Sequence, residues 1–140
     1  MTSAVDSNIF IALWDIENAL HLRAQSVLDE SLQRGNLVVA APVYAELLSF
    51  PRRTEAFLDY FLSETGIRVD WELKESDWRT AGRAFQSYAA RRRRHGNAGP
   101  RRILTDFLIG AHALRRGHRL LTLDDRLYRA AFPRLSIVAV

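Results

Sequence analysis

The stretch Leu37–Leu48, LVVAAPVYAELL, decides the fold class. Its first four residues form a continuous apolar run, which is typical of a strand buried on both faces of a parallel sheet. Pro42 follows where a helix would begin, and Pro51 is expected to break that helix. A buried strand that passes directly into a helix predicts an α/β unit.

The same alternation continues in both directions along the chain. Short apolar runs predict further strands at 4–5, 67–69, 119–122 and 136–140. Apolar residues at helical spacing predict further helices near 20–34, 57–66, 76–94, 107–114 and 126–132. The helix at 107–114 is apolar on nearly every side, which predicts a central, buried position. We therefore expect one α/β domain over residues 1–140, with a mainly parallel sheet of four to five strands.

Composition excludes several classes of site. The chain has 140 residues and no cysteine, so disulfides, thiolate zinc sites and cysteine nucleophiles are ruled out. Lys74 is the only lysine among twenty basic residues, and the net charge of +4 favours an anionic partner. The early apolar run Ile9–Trp14 is too short for a signal peptide or a membrane span. We expect a cytoplasmic protein that does not associate with membranes.

Four of the sixteen acidic residues lie at strand ends or helix starts: Asp6, Glu46, Asp106 and Asp124. Asp6 follows the first strand, Glu46 is expected in the first turns of the helix after the second strand, and Asp124 follows the strand ending at Thr122. Ligands of parallel sheets bind outside the carboxyl ends of the strands. Asp106 joins this edge if its buried helix begins there.

Four carboxylates in one pocket repel one another, and a divalent cation removes that penalty. Oxygen ligands without histidine or cysteine favour Mg²⁺, Mn²⁺ or Ca²⁺ over zinc. Mg²⁺ held by one or two carboxylates and water is usual in phosphate chemistry. Helix N-termini at Glu46 and Asp106 would help to keep those groups ionised.

Structural roles compete with this interpretation. Asp6 could be a helix N-cap, and Glu46 could merely complement a helix dipole. Either Asp124 or Asp125 could cap the last helix, and Thr122 with Asp125 resembles a capping box. Asp106 is hardest to explain structurally, because it precedes a buried run where an unpaired charge is costly.

Four short motifs, in order and spacing, resemble those of PIN-domain ribonucleases, specifically the bacterial VapC type: Val5–Phe10, Val43–Leu47, Thr105–Ala113 and Leu120–Asp124. The resemblance implies a flavodoxin-like, three-layer sandwich with helices on both faces of the sheet. It also implies an endoribonuclease that uses Mg²⁺ or Mn²⁺. The implied biological role is that of a toxin in a type II toxin–antitoxin system, neutralised by an antitoxin that binds near the pocket.

Individual roles can be assigned on this basis. Asp6 and Asp106 are the first-choice ligands for one or two metal ions, while Glu46 and Asp124 bind directly, through water, or position the nucleophile. Three polar side chains are expected to orient these acids: Ser7, Asn8 and Thr122. Hydrolysis by a metal-activated water would leave a 5′-phosphate and a 3′-hydroxyl.

Six arginines flank the start of the Asp106 helix and are candidates for binding the RNA backbone: Arg91, Arg92, Arg93, Arg94, Arg101 and Arg102. Arginines in a last helical turn also complement the helix dipole, which is the competing explanation. His112 lies six residues beyond Asp106, about 240° around the helix. We therefore predict a packed polar residue at His112 rather than a metal ligand.

Three alternatives stay open. A phosphatase of the haloacid dehalogenase type needs a second aspartate where Asn8 stands, and a lysine near the phosphate. A non-catalytic module that binds nucleic acid or protein on the same scaffold would have no reason to retain four acids. DNA could replace RNA as the substrate, because the hydrolytic chemistry does not discriminate between them. Apolar helix surface would also allow a homodimer.

Overall fold

Five parallel strands form a single sheet in the computed structural model, which describes residues 1–96 and 104–139. The strands are β1 Thr2–Val5, β2 Asn36–Ala40, β3 Arg68–Asp70, β4 Arg119–Thr122 and β5 Ile137–Ala139. They pair in the order β3-β2-β1-β4-β5, and every pair is parallel. The predicted α/β fold with a parallel sheet is confirmed. Val140, predicted to end the last strand, lies outside the described residues.

Helices connect the strands and cover both faces of the sheet. Within the described ranges they are α1 Ser7–Trp14, α2 His21–Arg34, α3 Ala41–Leu47, α4 Glu55–Thr65, α5 Glu75–Arg94, α6 Leu104–Arg116 and α7 Asp125–Ala131. The apolar pattern predicted all of them except α1. The prediction for α3 was too long, since this helix ends at Leu47 rather than near Pro51.

The buried core lies between the central strands and α6. Every residue of α6 from Phe107 to Ala113 is buried, which confirms the central position predicted for this helix. Gly110 lets α6 pack closely against Phe132, because a Cβ atom at this position would overlap the Phe132 ring. None of the helices in residues 1–96 and 104–139 combines the length and apolarity needed to cross a bilayer.

The order of the strands creates a crevice between β1 and β4. From β1 the chain passes to β2 and β3 on one side of the sheet, then returns to β4 on the other side of β1. Connections that leave two neighbouring strands in opposite directions open a space at their carboxyl ends, where ligands of α/β proteins bind. Val5 pairs with Leu121 at this point, so the residues that follow β1 and β4 line the crevice.

Candidate active site

Asp6 lies at the centre of the crevice and is held in one orientation. Its amide donates to the carbonyl of Leu121, 2.9 Å away, and only 4% of the residue is exposed. One carboxylate oxygen accepts from the Ser7 amide at 2.8 Å, and the other accepts from the Thr122 hydroxyl at 2.8 Å. Asp6 is also the N-cap of α1. The structural role considered from the sequence therefore exists, in addition to a position at the strand end.

Burial makes the charge on Asp6 costly. Desolvation raises the pKa of this carboxyl, and the nearby charge of Glu46 raises it further. Hydrogen bonds from Thr122 and Ser7, together with the nearby Tyr128 hydroxyl, lower the pKa only in part, so the net shift is upward. No arginine, lysine or histidine in the described residues forms an ion pair with Asp6. A cation bound from solution would supply the positive charge that the described residues do not place beside Asp6.

Glu46 reaches the same place through Ser7. The Ser7 hydroxyl donates a short hydrogen bond to Glu46 Oε1, and the same hydroxyl lies 3.5 Å from Asp6 Oδ1. Glu46 stands in the last turn of α3, so the prediction of a position in the first turns was wrong. The helix N-terminus that was expected beside Glu46 therefore lies at the other end of α3.

Asn8 and Thr122 tie the start of α1 to the turn after β4. The Asn8 carboxamide accepts from the Leu123 amide at 3.1 Å and donates to the Thr122 hydroxyl at 3.4 Å. The Thr122 hydroxyl also accepts from the Asp124 amide at 3.0 Å. Together with the Thr122 bond to Asp6, this arrangement fixes the backbone at Asp124 relative to Asp6.

Asp124 and Asp125 differ in their surroundings. Asp124 occupies the N-cap position of α7, yet its side chain makes no capping hydrogen bond within the described structure. Asp125 instead forms a 2.9 Å ion pair with Arg129, one turn along the same helix. The capping box suggested by Thr122 and Asp125 is therefore absent from the described residues. Asp124 is half-buried, and its amide donates to the Thr122 hydroxyl that also contacts Asp6.

Tyr128 brings the remaining acid into the same neighbourhood. Asp106 stands in the first turn of α6, as predicted, and is half-buried. Burial raises the pKa of the Tyr128 phenol, and the negative charges of Asp6, Asp106 and Glu46 raise it further. These three acids therefore lie near one buried tyrosine, which is 1% exposed and was not predicted from the sequence. Its position four residues after Asp124, on a short amphipathic helix, was the available signal.

The donors suit a hard divalent cation, but they form an open set. Among the described residues, no three acidic, histidine or cysteine side chains converge closely enough to enclose one ion. The available donors are oxygen atoms, which favour Mg²⁺ or Mn²⁺. The Tyr128 hydroxyl is buried beside Asp6 and makes no well-formed hydrogen bond to the described residues. The residues therefore fit a hydrated cation held by one or two carboxylates better than an ion enclosed by all four.

The predicted basic residues are only partly described. Arg91, Arg92, Arg93 and Arg94 form the last turn of α5. Arg91 lines a groove between α5, α6 and α7, whereas Arg93 and Arg94 are exposed. Arg101 and Arg102 lie outside the described residues.

A second polar cluster lies at the end of β3 and was also missed. His112 is fully buried, as predicted, and its Nε2 lies 2.8 Å from Asp70 Oδ2. Arg116 Nε donates to the same oxygen at 2.8 Å, and Arg116 Nη1 donates to both carboxylate oxygens of Asp77 at 2.9 Å. We refer to Asp70, Asp77, His112 and Arg116 as the Arg116 cluster.

Comparisons with known proteins agree with this architecture. VapBC-1 from nontypeable Haemophilus influenzae matches with a TM-score of 0.65 and 19% identity, over 99% of this chain and 98% of that chain. FitAcB from Neisseria gonorrhoeae matches with a TM-score of 0.63 and 19% identity, over 98% and 96%. VapBC2 from Rickettsia felis, bound to a DNA fragment from its promoter, matches with a TM-score of 0.61 and 18% identity, over 100% and 99%.

At these identities the solved structures establish a shared fold. No curated protein sequence matches the chain. The sequence pattern of one family, described as the PIN domain, matches residues 4–133.

Proposed function

This chain belongs to the PIN domain family, and we propose that it is a metal-dependent endoribonuclease that acts as the toxin of a type II toxin–antitoxin pair. Its catalytic residues are Asp6, Glu46, Asp106 and Asp124, with Mg²⁺ or Mn²⁺ as cofactor. One observation carries the proposal. Asp6 is buried at the crevice between β1 and β4, is oriented by Ser7 and Thr122, and has no cationic partner among the described side chains.

The chain's own residues orient the acids and hold the ion. Asp6 and Asp106 would bind the metal, and Glu46 and Asp124 would bind through water or position the attacking water. The Thr122 hydroxyl orients Asp6, and Asn8 in turn orients Thr122. When bound, Mg²⁺ or Mn²⁺ activates water and offsets the charge that develops on a phosphodiester. Hydrolysis of RNA by water leaves a 5′-phosphate and a 3′-hydroxyl.

A protein partner is part of the proposal. The solved structures with this fold carry the names VapBC and FitAB, and two of them include DNA. Together with the sequence resemblance, they support an antitoxin as the partner of this chain and RNA as its substrate. A homodimer is compatible with the exposed apolar side chains of the described helices. The phosphatase alternative has no support, because Asn8 occupies the required aspartate position and is engaged with Leu123.

Cleavage of RNA is the direct test. Purified protein would be incubated with a labelled pool of structured RNA in Mn²⁺, in Mg²⁺ or in EDTA. Asp6→Asn and Asp106→Asn would be tested beside Asp125→Asn, a neighbouring acid that is paired with Arg129 outside the crevice. We expect metal-dependent cleavage with 5′-phosphate ends by the wild type and Asp125→Asn, and loss of cleavage by at least about a hundredfold in the other two.

Binding of Mn²⁺, measured by calorimetry, separates the remaining outcomes. If the wild type binds Mn²⁺ but leaves every RNA intact, the same assay is repeated with single- and double-stranded DNA. Cleavage of DNA alone would replace the proposed substrate. If the wild type neither binds Mn²⁺ nor cleaves nucleic acid, the non-catalytic binding module becomes the better explanation. Cleavage by Asp6→Asn at the wild-type rate would remove that residue from the site.

A further inference from the structure

A basic groove of about 670 Å³ runs between α5, α6 and α7. The polar side chains that line it are Arg83, Arg91, Arg115, Arg134, Thr80 and Ser87. Four of these are arginines drawn from two helices and from the turn after α7, so the chain run at Arg91–Arg94 does not by itself account for the groove. Among the described residues that line the groove, none is acidic.

These arginines differ from others on the same helices. Arg79 on α5 pairs with Glu75 at 2.7 Å, and Arg129 on α7 pairs with Asp125 at 2.9 Å. In the groove, Arg83 donates to the Thr80 hydroxyl at 3.4 Å and forms no ion pair with the described residues. Within the described residues, Arg91, Arg115 and Arg134 form no ion pair or hydrogen bond. Four like charges without counterions in one groove favour binding of an anion.

The groove is separate from the acids but is joined to them by two helices. Asp106 stands in the first turn of α6, and Leu114, near the other end of that helix, lines the groove. Asp124 precedes α7, and Ala130 at its far end lines the groove as well. At 1.5 Å per residue these separations are about 12 Å and about 9 Å along the helix axes. A single extended strand of nucleic acid can span such distances.

We propose that this groove binds the phosphate backbone of the RNA substrate a few nucleotides from the bond that is cleaved. The proposal rests on the ribonuclease activity proposed above and adds a second contact to it. Guanidinium groups match phosphate oxygens in shape and charge, and the Ser87 and Thr80 hydroxyls supply weaker polar contacts. The groove sets the binding position of a longer RNA, while the acids carry out the chemistry.

A second copy of the chain is a poor occupant. A two-fold contact through this face would bring the same arginines of both subunits together, and that repulsion opposes a dimer. An acidic protein segment offers negative charge too, but the nuclease activity proposed above already brings a phosphodiester backbone to the acids at the other ends of α6 and α7. The experiment therefore treats an acidic polypeptide as the competing result.

The test measures RNA binding without cleavage. In an Asp106→Asn background, the triple variant Arg83→Gln/Arg115→Gln/Arg134→Gln would be compared with Arg34→Gln/Arg79→Gln/Arg129→Gln, which removes the same charge from exposed helix surface elsewhere. Fluorescence anisotropy with a labelled single-stranded RNA would be recorded from about 50 to about 300 mM salt. We expect the groove variant to bind roughly tenfold more weakly or worse, and the slope of log affinity against log salt to fall by about two, since each lost phosphate contact removes about 0.7.

The control variant should bind within about twofold of the parent, with its salt slope reduced by less than about one. Equal losses in both triple variants would mean that total charge, rather than the groove, governs binding, and would overturn the proposal. Retention of full affinity by the groove variant would overturn it as well. Thermal unfolding of each variant checks that the fold is retained, and any variant that is unfolded is replaced by the single Arg115→Gln and Arg134→Gln substitutions.

Cleavage assays separate this proposal from the proposed function. With the acids intact, the groove variant should cleave a dinucleotide at the wild-type rate, because such a substrate is too short to reach the groove, while cleavage of the longer RNA should show a raised KM. If the wild type cleaves neither the dinucleotide nor the longer RNA, the proposed nuclease activity fails, while the binding measurements still test the groove. If polyglutamate competes for the wild-type groove but the groove variant binds RNA normally, the groove serves an acidic protein segment and the RNA proposal fails.

Discussion

Two aspartates end strands of the same sheet and have opposite environments. Asp70, at the end of β3, meets the guanidinium of Arg116 and the imidazole of His112. Asp6, directly after β1, meets hydroxyl and amide donors but has no cationic partner in the described structure. A position at the carboxyl edge of a sheet therefore does not by itself make a metal site. The absence of a protein cation beside a buried acid is what distinguishes the candidate active site.

The pKa values of Asp70 and Asp6 are shifted in opposite directions, in agreement with their different environments. Burial alone would raise the pKa of Asp70, but the hydrogen bond from His112, the Glu72 amide and the charge of Arg116 lower it overall. Burial also lowers the pKa of His112 despite its bond to Asp70. Because the Asp70 carboxylate can only accept, the Nε2 of His112 donates to it. In contrast, the pKa of Asp6 is raised.

Removing Arg116 should produce the largest loss of stability. Its side chain is 18% exposed and it neutralises Asp77, whose side chain is 1% exposed, as well as Asp70. Arg116→Met leaves the buried carboxylate of Asp77 and the half-buried carboxylate of Asp70 without this cation. Removing one partner of a buried ion pair typically costs about 3–5 kcal/mol. Urea denaturation measures this loss. Arg79→Met, which breaks an exposed pair, is the matched control and should cost about 0.5 kcal/mol or less. Equal losses in the two variants would contradict a structural role for the Arg116 cluster.

Asp70→Asn should have a smaller effect that depends on pH. The folded-state pKa of Asp70 is lowered from 3.8, so its charge contributes stability above that pH and the contribution is lost as pH falls through the folded pKa. The variant should therefore be less stable than the wild type near neutral pH, and the two should converge below about pH 3.8. Thermal unfolding between pH 7 and pH 3 measures the difference. A gap that widens on acidification would reverse the sign and reject the assignment.

Asp6→Asn should leave the fold nearly as stable as the wild type in EDTA. Asparagine is as good an N-cap as aspartate, and the substitution removes a buried charge that lacks a protein cation. We expect a change of about 1 kcal/mol or less, although cleavage is lost.

Saturating Mn²⁺ provides the matched measurement for Asp6. A ligand that binds only the folded state raises stability, by about 2.7 kcal/mol at a hundred times its dissociation constant. The wild type should therefore melt at a higher temperature with Mn²⁺ than with EDTA, and Asp6→Asn should respond weakly. If Asp6→Asn were much less stable than the wild type in EDTA, Asp6 would be a structural residue, as Asp77 is.

The sequence predicted the strands and helices better than it predicted the environment of individual side chains. Apolar runs located the strands, and helical spacing located most helices, because both patterns are local. The eight residues of α1 were missed because they are apolar on nearly every side, and such a short run carries no clear helical period. The position of Glu46 within α3 was predicted wrongly because the end of the helix was placed too late. At the observed end, the Ser49 hydroxyl donates to the Glu46 carbonyl at 2.7 Å.

Contacts between residues far apart in the chain could not be predicted from local patterns. Arg116 binds Asp70 and Asp77 across 46 and 39 residues, and no local pattern relates them. The strand order depends in the same way on how the connections cross the sheet. Asp6 and Asp106 could be singled out because each charge interrupts or borders an apolar run. Arg116 could not, because it lies in a polar helix end, where arginine is ordinary.

Tyr128→Phe should have the smallest effect on stability. It tests directly whether Asp6, unlike Asp70, lacks a partner in the protein that stabilises its charge. The Tyr128 hydroxyl lies beside Asp6, and a hydroxyl that donates to a buried carboxylate would partly replace the missing cation. A hydroxyl buried without a good partner instead costs stability, so its removal would be neutral or stabilising by about 1 kcal/mol.

Because the hydroxyl makes no well-formed hydrogen bond within the described residues, we expect the second result for Tyr128→Phe in EDTA, measured by urea denaturation. Mn²⁺ affinity, measured by calorimetry, should then change by less than about tenfold, because Tyr128 is not needed to compensate Asp6. Destabilisation by more than about 1 kcal/mol would mean that the hydroxyl does stabilise the carboxylate. In that case Asp6 has a protein donor that acts as Arg116 does for Asp70, and the two strand ends differ in degree rather than in kind.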